Sequence, residues 1–404
     1  MKPEFSAPDL AGARVVVVGL GRSGVAAARA CLRHGARVTA TDSARLEALS
    51  AEARALAEGG GTLAAGGHDA VDLASADLVV ISPGVPAFPA LAAAEARGVL
   101  VIGEIELASR LLPGVPTIAI TGSNGKSTTT TLVGELCAAL GLETFVGGNL
   151  GTPPAEIVVD PASPSFDVLV LEISSFQAER IPTYRPTSAA LLNVSDNHLD
   201  RYDGFDAYVR AKGNLFVHQT ESDVAVVPAG DARCLAEAAR GRGRVVTFGP
   251  ASSGAAFAFD RDVVVDRARG ISYARAEMRV AGDHNAANVA AALALVSHLE
   301  PDPAIVRRVL ASFAGLPHRI VKVATRAGVT YYDDSKGTNV GAVVAAIRGL
   351  SEEKIVLIAG GRDKLGSYDP LVAALRDRGR AAVLIGEAAD RIAEAIGDAV
   401  PVAR

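Results

Sequence analysis

The fold of this chain is decided by one short stretch, Thr121-Gly122-Ser123-Asn124-Gly125-Lys126-Ser127-Thr128. It follows the apolar run Thr117–Ile120 and opens a stretch that we predict to be helical. In a strand–turn–helix of this kind the backbone N–H groups cradle phosphate oxygens, Lys126 neutralises charge between the β- and γ-phosphates, and Ser127 reaches a magnesium ion. Ile120 stands where the general phosphate-loop pattern has glycine, so the loop is shorter, starting at Gly122. The stretch predicts ATP binding.

A magnesium ion bound there needs a carboxylate nearby, and an acid at the end of an adjacent strand is the usual donor. Glu172 directly follows the apolar run Val168–Leu171. We therefore predict that Glu172 binds the ion, with an exposed acid at a strand end as the alternative.

Apolar runs of strand length alternate with Ala- and Leu-rich helical stretches along most of the chain. The strand candidates are Arg14–Val18, Val38–Thr41, Leu78–Ile81, Thr117–Ile120, Val168–Leu171, Ala189–Leu192, Val224–Val227 and Ile355–Ile358. This rhythm predicts the α/β class, with parallel sheets covered by helices. The 404 residues exceed what a single core holds, and Pro113–Pro116 and Ala314–Pro317 interrupt the rhythm. We predict three domains, at 1–108, 109–315 and 316–404.

A second glycine turn, Gly19–Gly24 (GLGRSG), follows the first strand and precedes an Ala-rich helix. Asp42 ends the next strand, at the place where an acid grips a ribose hydroxyl in dinucleotide-binding folds. Taken alone, this pattern favours an NAD-dependent oxidoreductase, and a plain structural turn is the alternative. Ser82-Pro83-Gly84 follows the third strand and is expected to meet the same crevice.

Composition excludes several classes of protein. The formal net charge is −5 and no dense basic run appears, which argues against nucleic-acid binding. Cys31, Cys137 and Cys234 are odd in number and far apart, as in proteins of a reducing compartment. The N-terminus lacks a signal-peptide pattern, and prolines interrupt the charge-free stretch Leu78–Ala94, so no membrane span is expected. We predict a cytoplasmic protein.

Several further motifs occur in a fixed order: GLGRSG, SPG, GEIEL, TGSNGKST, GGNLGTP, LEISSFQ, NVSDNHLDRY, AKGNLF, GDHNAANVAAAL, GLPHR, DDSKGTN and GGRDK. Together they resemble the Mur ligases, the ATP-dependent amino-acid ligases of peptidoglycan synthesis, along the whole chain. The resemblance implies a Rossmann-like N-terminal domain, a central P-loop ATPase-like parallel sheet and a C-terminal Rossmann-like domain that is incomplete. DDSKGTN and GLPHR are most similar to the glutamate-adding members. The resemblance therefore implies UDP-N-acetylmuramoyl-L-alanine and D-glutamate as substrates, ATP, Mg²⁺ and an acyl phosphate. The sequence itself gives no oligomeric state, and a monomer is the default expectation.

The resemblance also implies roles for individual residues. The UDP-linked substrate would be bound by Arg22, Ser23, Asp42, Ser82, Pro83, Gly84 and Asn149, with Ser174, Gln177 and His318 as further substrate contacts. ATP would be bound by Gly122, Ser123, Asn124, Gly125, Lys126, Ser127, Thr128, Asn285, Asn288, Arg319 and Asp334. Magnesium would be held by Ser127, Glu172, His198 and Lys212, the last as a carbamate. Lys336, Thr338 and Lys364 would line the acyl-phosphate and glutamate side, and Lys126, Glu172, His198, Lys212 and Lys336 would be catalytic.

Most of these residues also have an ordinary structural interpretation. Apart from the resemblance, His198 reads as a surface histidine and Lys212 as a solvated helix lysine. Asn285 and Asn288 could cap the helix that follows them, and Asp333–Lys336 could be a plain turn.

The sequence departs from the family pattern at two places. Asn197 stands where many relatives have Asp, which leaves the local metal ligands open. The relatives continue beyond Arg404 with a strand and a serine-containing loop that helps to bind glutamate. We therefore expect the third domain to lack a sheet edge and part of the amino-acid pocket. A non-catalytic nucleotide-binding protein and a sister ligase, acting on folate or on a later peptidoglycan step, remain as alternatives beside the oxidoreductase.

Overall fold

A computed structural model describes residues 10–159, 165–195, 201–350, 352–362 and 367–404. The N-terminal region forms a parallel sheet from β1 (Arg14–Val18), β2 (Arg37–Asp42), β3 (Thr62–Ala65), β4 (Leu78–Ile81) and β5 (Leu100–Gly103). Its helices are α1 (Arg22–Arg33), α2 (Ala51–Arg54), α3 (Pro89–Ala96) and α4 (Glu104–Leu111). The strand order is β3-β2-β1-β4-β5. The chain leaves β1 and β4 in opposite directions across the sheet, which opens a crevice at the carboxyl ends of these two strands.

The central region is built on a nine-stranded sheet. Its strands are β6 (Thr117–Thr121), β7 (Thr144–Gly148), β8 (Val168–Glu172), β9 (Ser188–Leu191), β10 (Val224–Pro228), β11 (Arg244–Pro250), β12 (Phe257–Phe259), β13 (Val263–Asp266) and β14 (Ile271–Ala274). Its helices are α5 (Lys126–Ala139), α6 (Ala155–Val159), α7 (Ser175–Ala178), α8 (Phe205–Gly213), α9 (Ala232–Ala238), α10 (Asp283–Val296) and α11 (Pro303–Ser312). The order is β14-β13-β12-β11-β10-β9-β6-β8-β7, and the pairs from β7 to β12 are parallel.

Burial explains why the central strands are continuous apolar runs. Ile118 and Ile120 of β6 face α5 and α10, where they join Leu132, Leu136 and Leu293 in one core. The alternate β6 residue belongs to a second core on the opposite face of the sheet. Strands covered on both faces lose the apolar–polar alternation of a half-exposed sheet.

The C-terminal region contains a hairpin and a small parallel sheet. The hairpin pairs β15 (Val321–Arg326) with β16 (Val329–Asp333). The sheet joins β17 (Ile355–Gly360), β18 (Gly379–Ile385) and β19 (Val402–Ala403), with helices α12 (Val340–Gly349), α13 (Asp369–Arg378) and α14 (Ala389–Ile396). Leu375, Leu384 and Ile392 lie in its core, while Ile358 and Ile385 are exposed.

The predicted α/β class with parallel sheets and a three-domain architecture is confirmed, and all eight strand candidates coincide with strands. Three antiparallel pairs, β12 with β13, β13 with β14, and β15 with β16, were not predicted from the alternation of strands and helices. The domain boundaries at 108 and 315 stay predictions. No helix in the described ranges has the length and apolar character needed to cross a membrane.

Candidate active site

The phosphate loop lies at the carboxyl end of β6, where the backbone turns through two glycines at positive φ. Gly122 has φ +150° and Gly125 has φ +83°. A Cβ at Gly125 would overlap the side-chain oxygen of Asn288, and one at Gly122 would lie 3.1 Å from Leu192 Cβ. Both positions therefore require glycine, for conformation and for space.

Neighbouring residues hold the loop in shape. Asn193 Oδ1 accepts from Asn124 N at 2.9 Å, and Asn193 Nδ2 donates to Asn124 O at 3.0 Å. Ser123 Oγ accepts from Ser195 N at 2.9 Å and lies 3.0 Å from the hydroxyl of Tyr208. Sequence reasoning did not select Asn193, Ser195 or Tyr208, although Asn193 and Ser195 stand in the quoted stretch NVSDNHLDRY.

Lys126 begins α5 and folds back over the loop. Its Nζ donates to Gly122 O at 2.9 Å and to Ser123 O at 3.0 Å. These bonds place the ammonium group beside the backbone that would wrap a phosphate. Ser127 follows it in the first turn of the same helix.

Glu172 ends β8, the strand next to β6, and its Cα pairs with that of Ile120. It is only 3% exposed, so the alternative of an exposed strand-end acid is wrong. Oε1 accepts from Asn149 Nδ2 at 2.6 Å, and no protein partner is described for the buried Oε2. A buried carboxylate oxygen without a donor is costly in apolar surroundings, and hard cations prefer such an oxygen as a ligand.

The residues present fit a magnesium ion at this position. Ser127 offers a hydroxyl in the first turn of α5, and Glu172 offers its unpartnered oxygen. The described residues contain no group of three or more His, Cys, Asp or Glu able to hold a metal. His198, with its neighbours Asp196, Asn197 and Asp200, lies outside the described residues, as does Lys364.

Lys212 in α8 is 2% exposed, so its interpretation as a solvated helix lysine is wrong. Its Nζ donates to Gly122 O at 2.9 Å and lies 4.7 Å from the centre of the Tyr208 ring. Burial lowers the pKa of this amine well below its ordinary value; nearby Lys126 lowers it further, and Glu172 opposes the shift. The structure thus places a lysine whose charged form is disfavoured directly behind the phosphate loop.

A cleft of about 880 Å³ opens between the central and C-terminal regions, beside the phosphate loop. Asn285 and Asn288 both line it from α10. The helix starts at Asp283 after Gly282, so neither asparagine is its N-cap. The Asn285 amide donates to Ala281 O at 2.8 Å. The capping interpretation is therefore wrong, and the nucleotide contacts of both residues stay a prediction.

The C-terminal region reaches the phosphate loop at two points. Arg319 Nη2 lies 3.5 Å from Ser127 Oγ, and Asn339 Nδ2 donates to Asn124 Oδ1 at 3.1 Å. Asn339 also caps α12, since its Oδ1 accepts from Ala342 N at 2.8 Å. Sequence reasoning missed Asn339, although it ends the quoted motif DDSKGTN.

The other predicted residues of this region lie around the segment before α12. Asp334 Oδ1 accepts from Ile320 N at 3.2 Å; burial raises the pKa of its carboxyl group, and Arg319 opposes the shift. His318 is exposed, with Nδ1 2.6 Å from Asp333 Oδ2. Lys336 and Thr338 are also exposed on this segment.

The predicted UDP residues surround the crevice of the N-terminal sheet. Ser82 Oγ donates to Gly19 O at 2.7 Å, which ties the loops after β1 and β4 together. Asp42 accepts from Leu20 N at 2.6 Å and from Ala44 N at 2.8 Å. Its carboxylate therefore shapes the crevice, and a contact with a ribose would come in addition to that.

The remaining UDP candidates lie on the same side. Arg22 and Ser23 form the first turn of α1, whose N-cap Gly21 provides no side chain. A helix start of this kind presents free N–H groups to an anion. Pro83 is half-buried and Gly84 is exposed on the loop after β4.

Asn149, Ser174 and Gln177 have structural partners near the end of β8. The side-chain amide of Asn149 donates to Glu172 Oε1. Ser174 and Gln177 form the capping box of α7: Ser174 Oγ accepts from Gln177 N at 3.2 Å, and Gln177 Oε1 accepts from Ser174 N at 2.9 Å. Their predicted substrate contacts stay predictions.

Comparison with known proteins gives matches over nearly the whole chain. Residues 120–296 match the family model described as the Mur ligase middle domain, and residues 13–103 match the MurD-like N-terminal domain of Mur ligases. The UDP-N-acetylmuramoylalanine–D-glutamate ligase of Geobacter metallireducens is 44% identical over 96% of this chain and 86% of its own. The enzyme of the same name from Anaeromyxobacter dehalogenans is 45% identical, covering 98% and 88%.

Solved structures of lower identity share the fold. MurF from Acinetobacter baumannii superposes with a TM-score of 0.61 at 20% identity, covering 82% of each chain. The UDP-N-acetylmuramate–alanine ligase MurC from Thermotoga maritima gives a TM-score of 0.59 at 20% identity, covering 96% of this chain and 90% of that one. At such identities the likeness shows the fold alone.

Proposed function

This chain belongs to the Mur ligase family, and we propose that it joins D-glutamate to UDP-N-acetylmuramoyl-L-alanine in peptidoglycan synthesis, with cleavage of ATP to ADP and phosphate. The observation that carries the proposal is that Glu172 ends the strand next to β6, while Lys126 folds over the phosphate loop that follows β6. The names of the relatives supply the substrates, since the chain spans 86% of the first of them. An oxidoreductase would leave the phosphate loop without a use.

Formation of an amide from a carboxylate and an amine requires activation of the carboxylate. In the first step a carboxylate oxygen of the UDP-linked substrate attacks the γ-phosphorus, and the bond to the β–γ bridging oxygen breaks, which releases ADP. In the second step the glutamate amine attacks the acyl carbon, the bond from carbon to the phosphate oxygen breaks, and the amine loses a proton. The products are an amide and inorganic phosphate.

This chain's residues have to hold and neutralise anionic oxygens throughout. The backbone N–H groups from Gly122 to Lys126 cradle the phosphates. The Lys126 ammonium group, which donates to the carbonyls of Gly122 and Ser123, turns to donate to phosphate oxygens instead. Ser127, Glu172 and His198 would hold the magnesium ion, which supplies positive charge to the transferred phosphoryl group when bound. Arg319, beside Ser127, adds a cation from the opposite side of the cleft.

Lys212 is proposed as the site of a carbamate. Addition of carbon dioxide to an amine requires the neutral form, and burial favours that form here. The product is an anion in place of a cation, and Lys212 Nζ already donates to Gly122 O and interacts electrostatically with Glu172. A carbamate there would add a negative oxygen beside the metal site.

The C-terminal region closes the site. Contacts from Arg319 to Ser127 and from Asn339 to Asn124 bring it against the phosphate loop. A closed cleft keeps water from an acyl phosphate, which would otherwise hydrolyse. We place this reaction in the cytoplasm, in accord with three free, buried cysteines.

Phosphate release on mixing the protein with ATP, Mg²⁺, UDP-N-acetylmuramoyl-L-alanine and D-glutamate tests the function. We expect release only with both substrates present, and a product heavier by one glutamyl residue in mass spectrometry. A panel containing L-glutamate, other amino acids and other acceptors, folate included, separates the sister ligases. Lys126→Ala serves as the negative control, with retained circular dichroism. Turnover by that variant at the wild-type rate would refute the role of the loop.

A further inference from the structure

The guanidinium group of Arg201 reaches from the central region to the loop after β4. Nη1 donates to Pro83 O at 3.0 Å, and Nη2 donates to Val85 O at 3.3 Å. These two carbonyls flank Gly84 in the segment to which the resemblance assigns UDP contacts. We propose that Arg201 is a positioning residue for the UDP-linked substrate and acts by fixing this loop. This inference rests on the proposed function.

The central region also holds the guanidinium group of Arg201. Arg201 lies over the ring of Phe176, 4.2 Å from its centre, and its Nη2 is 3.8 Å from Glu179 Oε2. Phe176 belongs to α7 and Glu179 directly follows it, in the segment after Glu172. Stacking on one face and a carboxylate at one edge leave the N–H groups aimed at the loop.

The loop that Arg201 holds forms part of the crevice wall. Ser82 lies directly before Pro83 and donates its hydroxyl hydrogen to Gly19 O at 2.7 Å. Displacement of Pro83 and Val85 would therefore move Ser82 and loosen its bond to the first glycine turn. Arg201 itself is not required to touch the substrate, because its effect passes through these backbone groups.

The same arginine lies at one end of a row of rings that leads to the phosphate loop. Phe176 stacks on Tyr202 with ring centres 5.9 Å apart, and Tyr202 meets Tyr208 edge-on at 5.5 Å. The Tyr208 hydroxyl is 3.0 Å from Ser123 Oγ. Loss of Arg201 therefore has a route to each substrate site, and the kinetic constants for the two substrates distinguish these routes. The proposal requires the effect to fall on the UDP side.

Arg180 provides a matched control. It also crosses from the central to the N-terminal region, where its Nη1 pairs with the carboxylate of Glu95 in α3. That contact does not involve the carbonyls of Pro83 or Val85. Arg180→Ala therefore removes a cation between the same two regions and leaves the bonds to the loop in place.

The experiment measures steady-state KM for both substrates and, by calorimetry, the Kd of UDP in the wild type, Arg201→Ala, Arg201→Lys and Arg180→Ala. For Arg201→Ala we expect KM for the UDP-linked substrate and the Kd of UDP to rise about tenfold, with KM for ATP and kcat within about twofold, since two charge-assisted bonds are lost. For Arg201→Lys these two constants should lie between those of the wild type and Arg201→Ala, because one ammonium group cannot reproduce the forked donor pair. Arg180→Ala should leave every constant within about twofold.

Four results would overturn the proposal. An equal rise in KM for ATP, or a fall in kcat alone, would place the effect at the phosphate loop. Equal effects of Arg180→Ala on these constants would show that Arg201 acts only as a general contact between the two regions. Thermal unfolding of each variant identifies any variant that has lost its fold. UDP calorimetry needs no turnover, so an absence of ligation with normal UDP binding contradicts the proposed function alone. Failure of the wild type to bind UDP contradicts the role of Arg201.

Discussion

Asn149 holds Glu172 by two bonds at the ends of neighbouring strands. Its side-chain amide donates to Glu172 Oε1 at 2.6 Å, and its backbone N–H donates to Glu172 O at 2.8 Å. Gly148, at φ +93°, allows this approach, because a Cβ there would overlap the Glu172 carbonyl oxygen. The side chain therefore keeps one orientation, with Oε1 engaged and Oε2 buried without a described protein partner.

Glu172→Gln tests whether Oε2 serves a cation. The amide keeps an oxygen for Asn149 and removes the negative charge, so we expect phosphate release to fall about a hundredfold or more, because a bound metal ion contributes several kcal/mol of charge stabilisation. The measurement is phosphate release against Mg²⁺ concentration. Asn149→Ala is the companion variant. Its rate of phosphate release should fall about 10- to 100-fold, as is usual when a residue that orients a metal ligand is removed. Wild-type magnesium dependence in Glu172→Gln would exclude Glu172 as a ligand.

Lys212→Ala tests the proposed carbamate. We expect most of the activity to be lost and part of it to return with added formate or acetate, since a small carboxylate can occupy the space of the missing anion. The measurement is phosphate release with and without the added acid. Lys126→Ala is the control and should not be rescued, because it lacks a cation. Full activity of Lys212→Ala, or loss without rescue, would remove the carbamate role.

Local patterns predicted the parallel strands and the helix after the phosphate loop well. The strand predictions Arg14–Val18 and Leu78–Ile81 coincide with β1 and β4, and the helix predicted after Gly125 runs from Lys126 to Ala139. Burial on both sheet faces requires long apolar runs, and these can be recognised in the sequence. The antiparallel pair β13–β14 was missed because its short strands offer little periodicity and are joined by a turn ending at Gly270.

The environment of a side chain was much harder to predict. Nothing near Lys212 in the sequence indicates that α8 directs it under the phosphate loop, since that contact spans 90 positions. Arg201 is an ordinary polar residue in the sequence, and its carbonyl partners lie 116 and 118 positions away. Such roles depend on which elements pack together, and periodicity carries no information on that.

Glu106, in the quoted GEIEL motif, joins α4 to the central region. It is fully buried, and its carboxylate accepts from Arg110 Nε at 2.7 Å, from Tyr184 N at 2.9 Å, and from the backbone and hydroxyl groups of Thr183. In Glu106→Gln an NH2 group replaces one of the two carboxylate oxygens. This NH2 group would face N–H and O–H donors and could not accept their hydrogen bonds. We expect a loss of about 3 kcal/mol in the free energy of unfolding, measured with urea.

Glu95→Gln is the control for that measurement. Glu95 also pairs across the two regions, with Arg180, but at a partly exposed position. Exposed ion pairs contribute about 0–1 kcal/mol, so the control should unfold almost as the wild type does. Equal losses in the two variants would contradict the assignment of Glu106 as the principal buried contact.

Glu104, two positions earlier, makes stability depend on pH. Burial raises the pKa of its carboxyl group from 4.5 to about 8; the bond from Ala155 N opposes the shift, and Glu156 adds to it. Between these values the folded protein keeps a proton that the unfolded chain has lost. The contribution of Glu104 to stability is therefore fully present below pH 4.5 and is lost as the pH rises to about 8.

Glu104→Gln should remove this dependence. The amide stays neutral and keeps an oxygen for Ala155 N, so we expect the variant to gain stability relative to the wild type as the pH rises from 5 to 8, by at most about 1.4 kcal/mol per pH unit. Urea unfolding at intervals of pH across this range measures the difference. Parallel curves for the two proteins would mean that Glu104 is ionised in the fold, and its unpartnered Oε2 would then require a bound donor instead of a proton.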